Sequence, residues 1–91
     1  MNKILFPLGQ VVMTRGVEQM VKEGLLLDLY IDRHAHGDWG ASLSTGDKEA
    51  NDAAVNDGDR ILSSYQTPCG DLWIITEADR SATTALQPDE Y

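Results

Sequence analysis

The stretch Arg60-Ile-Leu-Ser-Ser-Tyr-Gln-Thr-Pro-Cys-Gly-Asp-Leu-Trp-Ile-Ile-Thr-Glu77 decides the fold class. Two strand-like runs, Arg60–Thr67 and Leu72–Glu77, rich in β-branched and aromatic residues, flank Pro68-Cys-Gly-Asp71. Proline followed two residues later by glycine suits a type I turn with a left-handed glycine bulge. In the second run Trp73 and Ile75 point to one face and Leu72 and Ile74 to the other, so both faces are apolar. Such a strand belongs in the middle of a sheet, and Trp73 and Ile75 are expected in the core. Ala78-Asp-Arg-Ser81 turns the chain into a further short strand, Ala82–Leu86, and Pro88-Asp-Glu-Tyr91 reads as an acidic tail.

Upstream of the hairpin the period changes from two to that of a helix. Gln10–Thr14 is a short β-branched strand, and Pro7 before it marks a sheet edge or an irregular lead-in. Thr14 stands where a helix N-cap belongs, followed by Val17, Met20 and Val21 at helical spacing and by Gly24 as a left-handed cap. Leu27, Tyr30, Ile31 and His34 line one face of a second helix, with Asp28 and Asp32 off that face and Gly37 as its stop. Residues 41–46 read as loop. Asp47–Asn56 reads as a third helix with Ala50, Ala53 and Ala54 facing inward and Lys48 able to pair with Asp52. The expected architecture is a single α+β domain over residues 1–91: an antiparallel sheet of three to four strands with two or three short helices on one face.

Ninety-one residues with 42% hydrophobic content describe one small domain, for which a homodimer is a route to extra buried area. No run approaches the roughly 20 apolar residues of a membrane span, and the first residues lack the pattern of a signal peptide. The single cysteine, Cys69, excludes an internal disulfide framework and a cysteine-based zinc site. A soluble cytoplasmic protein is the simplest expectation. Fifteen acids against seven bases give a net charge of −8. Direct binding to nucleic acid needs clustered Lys or Arg, and no such cluster exists. A partner recognised by charge would instead be a protein with a basic surface.

Met13-Thr-Arg-Gly16, His34 with Gly37-Asp-Trp-Gly40, Arg60 with Ser63 and Tyr65, and Trp73-Ile-Ile-Thr-Glu-Ala-Asp-Arg80 form a spaced set. Thr83-Thr84 and Pro88 through Tyr91 extend it. That set resembles small bacterial proteins labelled plasmid-related or hypothetical, carried on plasmids, phages and integrated elements. The resemblance spans nearly the whole chain and implies a mobile-element setting without implying a chemistry.

The densest polar stretch is His34-Ala-His-Gly-Asp-Trp-Gly40. Three potential metal ligands, His34, His36 and Asp38, crowd into five residues, whereas metal sites draw ligands from separate elements; no metal and no cofactor are expected. His34 continues an apolar helix face, so packing and hydrogen bonding suit it better. Asp38 suits a backbone cap, and Trp39 either buries its ring or anchors a recognition surface. Glu77, Asp79 and Arg80 at a strand end, with Arg60 on the preceding strand, suit an ion-pair network more than acid–base chemistry. Ser63 and Ser64 lack the surroundings of a nucleophile, and Cys69 has no neighbouring base. The acids Asp47, Glu49, Asp52, Asp57 and Asp59, with only Lys48 among them, form either a solvated face or a mimic of nucleic-acid charge. The leading expectation is a non-enzymatic binding protein of a mobile element, an acidic inhibitor of a host defence complex such as a CRISPR effector or restriction enzyme. The rival is a small hydrolase or nuclease using His34, Asp38 and Glu77.

Overall fold

The hairpin expected around Pro68 is present in the computed structural model, which describes residues 3–91. Its strands are β2 (Ile61–Thr67) and β3 (Gly70–Thr76), in register from Ile61 opposite Thr76 to Thr67 opposite Gly70. β1 (Gln10–Met13) and β4 (Ala82–Leu86) complete a four-stranded sheet in the order β1-β4-β3-β2. β3 is an interior strand, as its two apolar faces imply, and β1 is an edge. The helices α1 (Arg15–Lys22), α2 (Leu27–Ala35) and α3 (Thr45–Asp57) all lie between β1 and β2 in sequence. A 3-10 turn, Pro88–Glu90, follows β4. The result is a single α+β domain with a Cα radius of gyration of 12.3 Å, against about 12 Å for one domain of this length.

The sheet is mixed, which corrects the antiparallel expectation: β2–β3 and β3–β4 are antiparallel, but β1 runs parallel to β4. Strand direction at that edge depends on where the chain re-enters the sheet after three helices. A parallel pair needs a long connection, and here the helices and the hairpin together supply it.

One face of the sheet carries Ile61, Ser63 and Tyr65 of β2, Leu72, Ile74 and Thr76 of β3, and Thr83 and Ala85 of β4, all buried. Val17 and Met20 of α1, Leu25, and Leu27, Tyr30 and Ile31 of α2 pack onto its centre. Ala54 of α3 packs with Ile61, Trp39 and Phe6 at the β2 side. Trp73 lies on the opposite face beside Leu62 and is only partly buried. The core expectation therefore holds for Ile75, at 3% exposure, and fails for Trp73. Alternation placed the two on one face, but only the packing of helices on the other face decided which side is inner.

The helix ends follow local chemistry. Thr14 Oγ1 accepts the Val17 N–H at 3.3 Å. At the far end of α1 the Gly24 N–H reaches the Val21 carbonyl and the Leu25 N–H reaches Met20, a Schellman arrangement in which Leu25 packs with Met20. α2 ends in the same way at Gly37 and Asp38. α3 begins two residues before the expected start, because Ser44 accepts the Asp47 N–H at 3.1 Å and caps it. Its inward residues are Asn51 and Ala54, whereas Ala50 and Ala53 are exposed. No helix of the described residues is long and apolar enough to cross a membrane.

Candidate functional site

His34 sits on the inner face of α2 and is fully buried. Its Nδ1 lies 2.5 Å from Ser63 Oγ on β2 and its Nε2 2.9 Å from Thr76 Oγ1 on β3. Thr76 Oγ1 is 2.7 Å from Thr83 Oγ1 on β4, which donates to the Leu8 carbonyl at 2.7 Å. The carbonyl end fixes every proton along the chain. Leu8 O can only accept, so Thr83 donates to it and accepts from Thr76. Thr76 in turn accepts from Nε2–H of His34, leaving Nδ1 to accept from Ser63. His34 is therefore the neutral Nε2–H tautomer, and burial pulls its pKa down to about 4. A Ser–His contact is present, but both groups have no exposed surface, so the arrangement binds α2 to three strands and offers nothing to a substrate.

Around this chain the rings of Phe6 and Trp39 stack at 6.2 Å, and both meet His34 edge-on, at 5.3 and 5.9 Å. Trp39 is 4% exposed, and its indole N–H donates to Asp52 Oδ1 at 2.9 Å. Of the two readings of Trp39 the buried ring is the one found, which closes it to a partner, and Asp52 serves Trp39 rather than Lys48, which corrects that pairing. Asp38 Oδ2 accepts from Arg33 Nε at 2.7 Å, which holds its carboxyl below the usual carboxylate range. Gly40 has φ of +93°, and a Cβ there would stand 1.8 Å from the Ser64 carbonyl. The chain 38–40 thus lies against the outer edge of β2, where the Ser64 N–H donates to Trp39 O. Asn51 completes that edge, its amide donating to Leu62 O at 2.6 Å and its Oδ1 accepting the Leu62 N–H at 3.2 Å. It mimics a neighbouring strand.

Arg80 is a structural clamp. Its guanidinium donates to the carbonyls of Asp59 at 2.7 Å, Glu77 at 3.2 Å and Ala54 at 2.8 Å, and stands 5.5 Å from the Phe6 ring centre. It supplies the positive charge that the last turn of α3 lacks, and these bonds hold its own left-handed backbone at φ of +59°. Asp79 Oδ1 accepts the Ser81 N–H at 3.0 Å, and the Ser81 side chain first, then this N–H, hold its carboxyl low. The residues read as an acidic tail are ordered too. Glu90 accepts from Thr14 Oγ1 at 2.6 Å and from the Gly16 N–H at 3.1 Å, so it caps α1 from 74 residues away. None of this was visible to local periodicity.

Comparison with protein-family models, curated proteins and solved structures gives no match to this chain.

Two accessible regions hold other residues singled out in the sequence. On the outer face of the sheet, Arg60, Leu62, Trp73, Ile75 and Tyr91, with Asn51 of α3 at the margin, line an open cleft of about 290 Å³. Arg60 donates to the Tyr91 hydroxyl at 2.7 Å and faces Glu77 at 3.6 Å, so the expected Arg60–Glu77 pairing is real but separate from Asp79 and Arg80. At the β2 side, Asp47, Glu49, Asp57 and Asp59 are all exposed, and among the described residues none joins an ion pair. No group of three or more His, Cys, Asp or Glu among the described residues gathers as metal ligands would.

Proposed function

We propose that this chain is a non-enzymatic binding protein of a mobile genetic element whose acidic surface engages a basic face on a host defence complex. One observation supports this most. The fold consumes many of its other acids: Asp32 faces His36, Asp38 holds Arg33, Asp52 holds Trp39, Glu77 faces Arg60, and Asp79 and Glu90 cap backbone. Asp47, Glu49, Asp57 and Asp59 have no such duty and cluster on α3 and the loop beyond it. Uncommitted charge of one sign steers a basic partner by long-range attraction. The mobile-element setting comes from the sequence resemblance, and it narrows the partner to a CRISPR effector or restriction enzyme whose nucleic-acid groove is basic.

The enzymatic reading gains no support from the geometry. His34 is sealed in its hydrogen-bond chain, Asp38 is bound to Arg33, and Glu77 faces Arg60 on the other side of the sheet. The test is a defence-interference assay in cells with the wild type and the variant D47N/E49Q/D57N/D59N. We expect the variant to keep its near-UV circular dichroism and lose protection of an invading phage or plasmid. With a purified partner, affinity should fall roughly tenfold or more on loss of the four charges. Equal protection by both proteins would overturn the proposal.

A further inference from the structure

The two edges of the sheet are finished differently. On β2 the outward groups of Leu62 and Ser64 are covered by Asn51, Trp39 and Ser42. On β1 the N–H groups of Gln10 and Thr14 point to β4, bonding Ser81 O and Ala85 O at 3.0 Å each. Strand alternation then turns the N–H and C=O of Val11 and Met13 away from the sheet. Among the described residues no backbone group outside the sheet bonds to either residue. The side chains are open on both faces as well: Val11 is 45%, Val12 39% and Met13 46% exposed. An uncovered apolar edge is a template for another strand, and monomeric proteins usually blunt it with charge or proline. This strand has neither.

Charge placement favours a second copy of this chain as the occupant. Residues 3–17 contain no acid, and their only charges are Lys3 and Arg15, in a chain whose net charge is −8. The strand order β1-β4-β3-β2 puts β1 at the edge farthest from β2, beside which α3 packs with its unpaired acids. Joining two chains at β1 is thus the arrangement that keeps their acidic ends far apart. The strand is also self-complementary. In an antiparallel pair about a two-fold axis at Val12, Val11 and Met13 exchange both main-chain hydrogen bonds with Met13 and Val11 of the second copy. Val12 then faces Val12 on one side of the joined sheet, and Val11 packs against Met13 on the other.

We propose that β1 is a homodimer edge through which two copies form one continuous eight-stranded sheet, with an acidic α3 surface at each end. This inference does not depend on the proposed anti-defence role. Four residues a side fall well short of the roughly 20–30 of a standard interface, so the dimer is weak and concentration-dependent.

Sedimentation equilibrium over about 10 μM to 1 mM brackets a dimer of that strength. Wild-type protein should shift from monomer to dimer, and added salt should favour the dimer by screening the like net charges. Val11→Pro removes only the outward N–H and leaves the β4 ladder intact, while Met13→Lys places charge on the edge. Each should weaken dimerisation at least about tenfold while near-UV circular dichroism is retained. Should Val11→Pro not fold, Met13→Lys carries the test alone, its side chain being exposed in the monomer. Monomeric wild type throughout the range overturns the proposal and leaves the edge to a foreign strand. A dimer that persists in folded Met13→Lys also overturns it, by placing the interface elsewhere.

Discussion

At the scale of single residues, His34 shows how burial turns a titratable group into a stability switch. Its folded pKa of about 4 lies below the ordinary 6.5, so between these values the unfolded chain binds the extra proton. Stability is therefore complete above about pH 6.5, falls as pH drops toward 4, and loses about 3 kcal/mol across that window. Urea unfolding at pH 7 and at pH 4.5 should show most of this loss, and NMR should place the imidazole titration near 4. A ring titrating near 6.5 in the folded protein would contradict the sealed hydrogen-bond chain. The carboxylates of Asp38 and Glu90, whose pKa values are lowered by Arg33 and Thr14 respectively, keep their contributions until lower pH. Gly40 is the second sensitive residue. Its positive φ and its contact with the Ser64 carbonyl leave no space for a methyl group, so Gly40→Ala should cost about 3 kcal/mol or more. A thermal melt within a few degrees of wild type would show that the 38–40 segment does not rest on β2 as described.

At the scale of elements, β3 separates two kinds of apolar side chain. Leu72 and Ile74 are wholly buried under α1 and α2, whereas Trp73 lines the open cleft with Arg60 and Tyr91. Leu72→Ala should cost about 2–5 kcal/mol and leave so small a domain largely unfolded at moderate temperature. Trp73→Ala should cost only about 1–2 kcal/mol, because the ring is partly solvated and leaves no sealed cavity. Chemical denaturation of both variants gives the ordering, and a reversed order would put the helices on the wrong face. Residue type and period revealed the strands and the start of α1, because Thr14, Val17 and Met20 act through neighbours in sequence. On α3 they revealed Ala54 as inward but not Asn51. Asn51 is polar, and its value comes from the Leu62 backbone, which local pattern cannot see.

At the scale of the whole molecule, the charge is unevenly placed. Four exposed acids without a salt-bridge partner, Asp47, Glu49, Asp57 and Asp59, lie on α3 and the loop beyond it, while residues 3–17, which include the open β1 edge, contain no acid of their own. The two proposed contacts therefore answer salt in opposite directions. Binding of a basic partner should weaken as ionic strength rises, chiefly through a slower on-rate, while self-association should strengthen. Surface-based kinetics and sedimentation across one salt series check both signs on the same protein.

The sequence by itself determined the α+β class, the hairpin, the interior place of β3 and the capping of α1. Each rests on interactions within a few residues or on a period that survives any arrangement of the whole. Only the tertiary structure decided the parallel direction of β1, the inner face of the sheet and the fates of Trp39, Asp52, Arg80 and Glu90. Those depend on partners 13 to 76 residues away, such as Asp52 for Trp39 and Thr14 for Glu90. A side chain's own type sets what bonds it can make, and the fold alone selects which atom it meets.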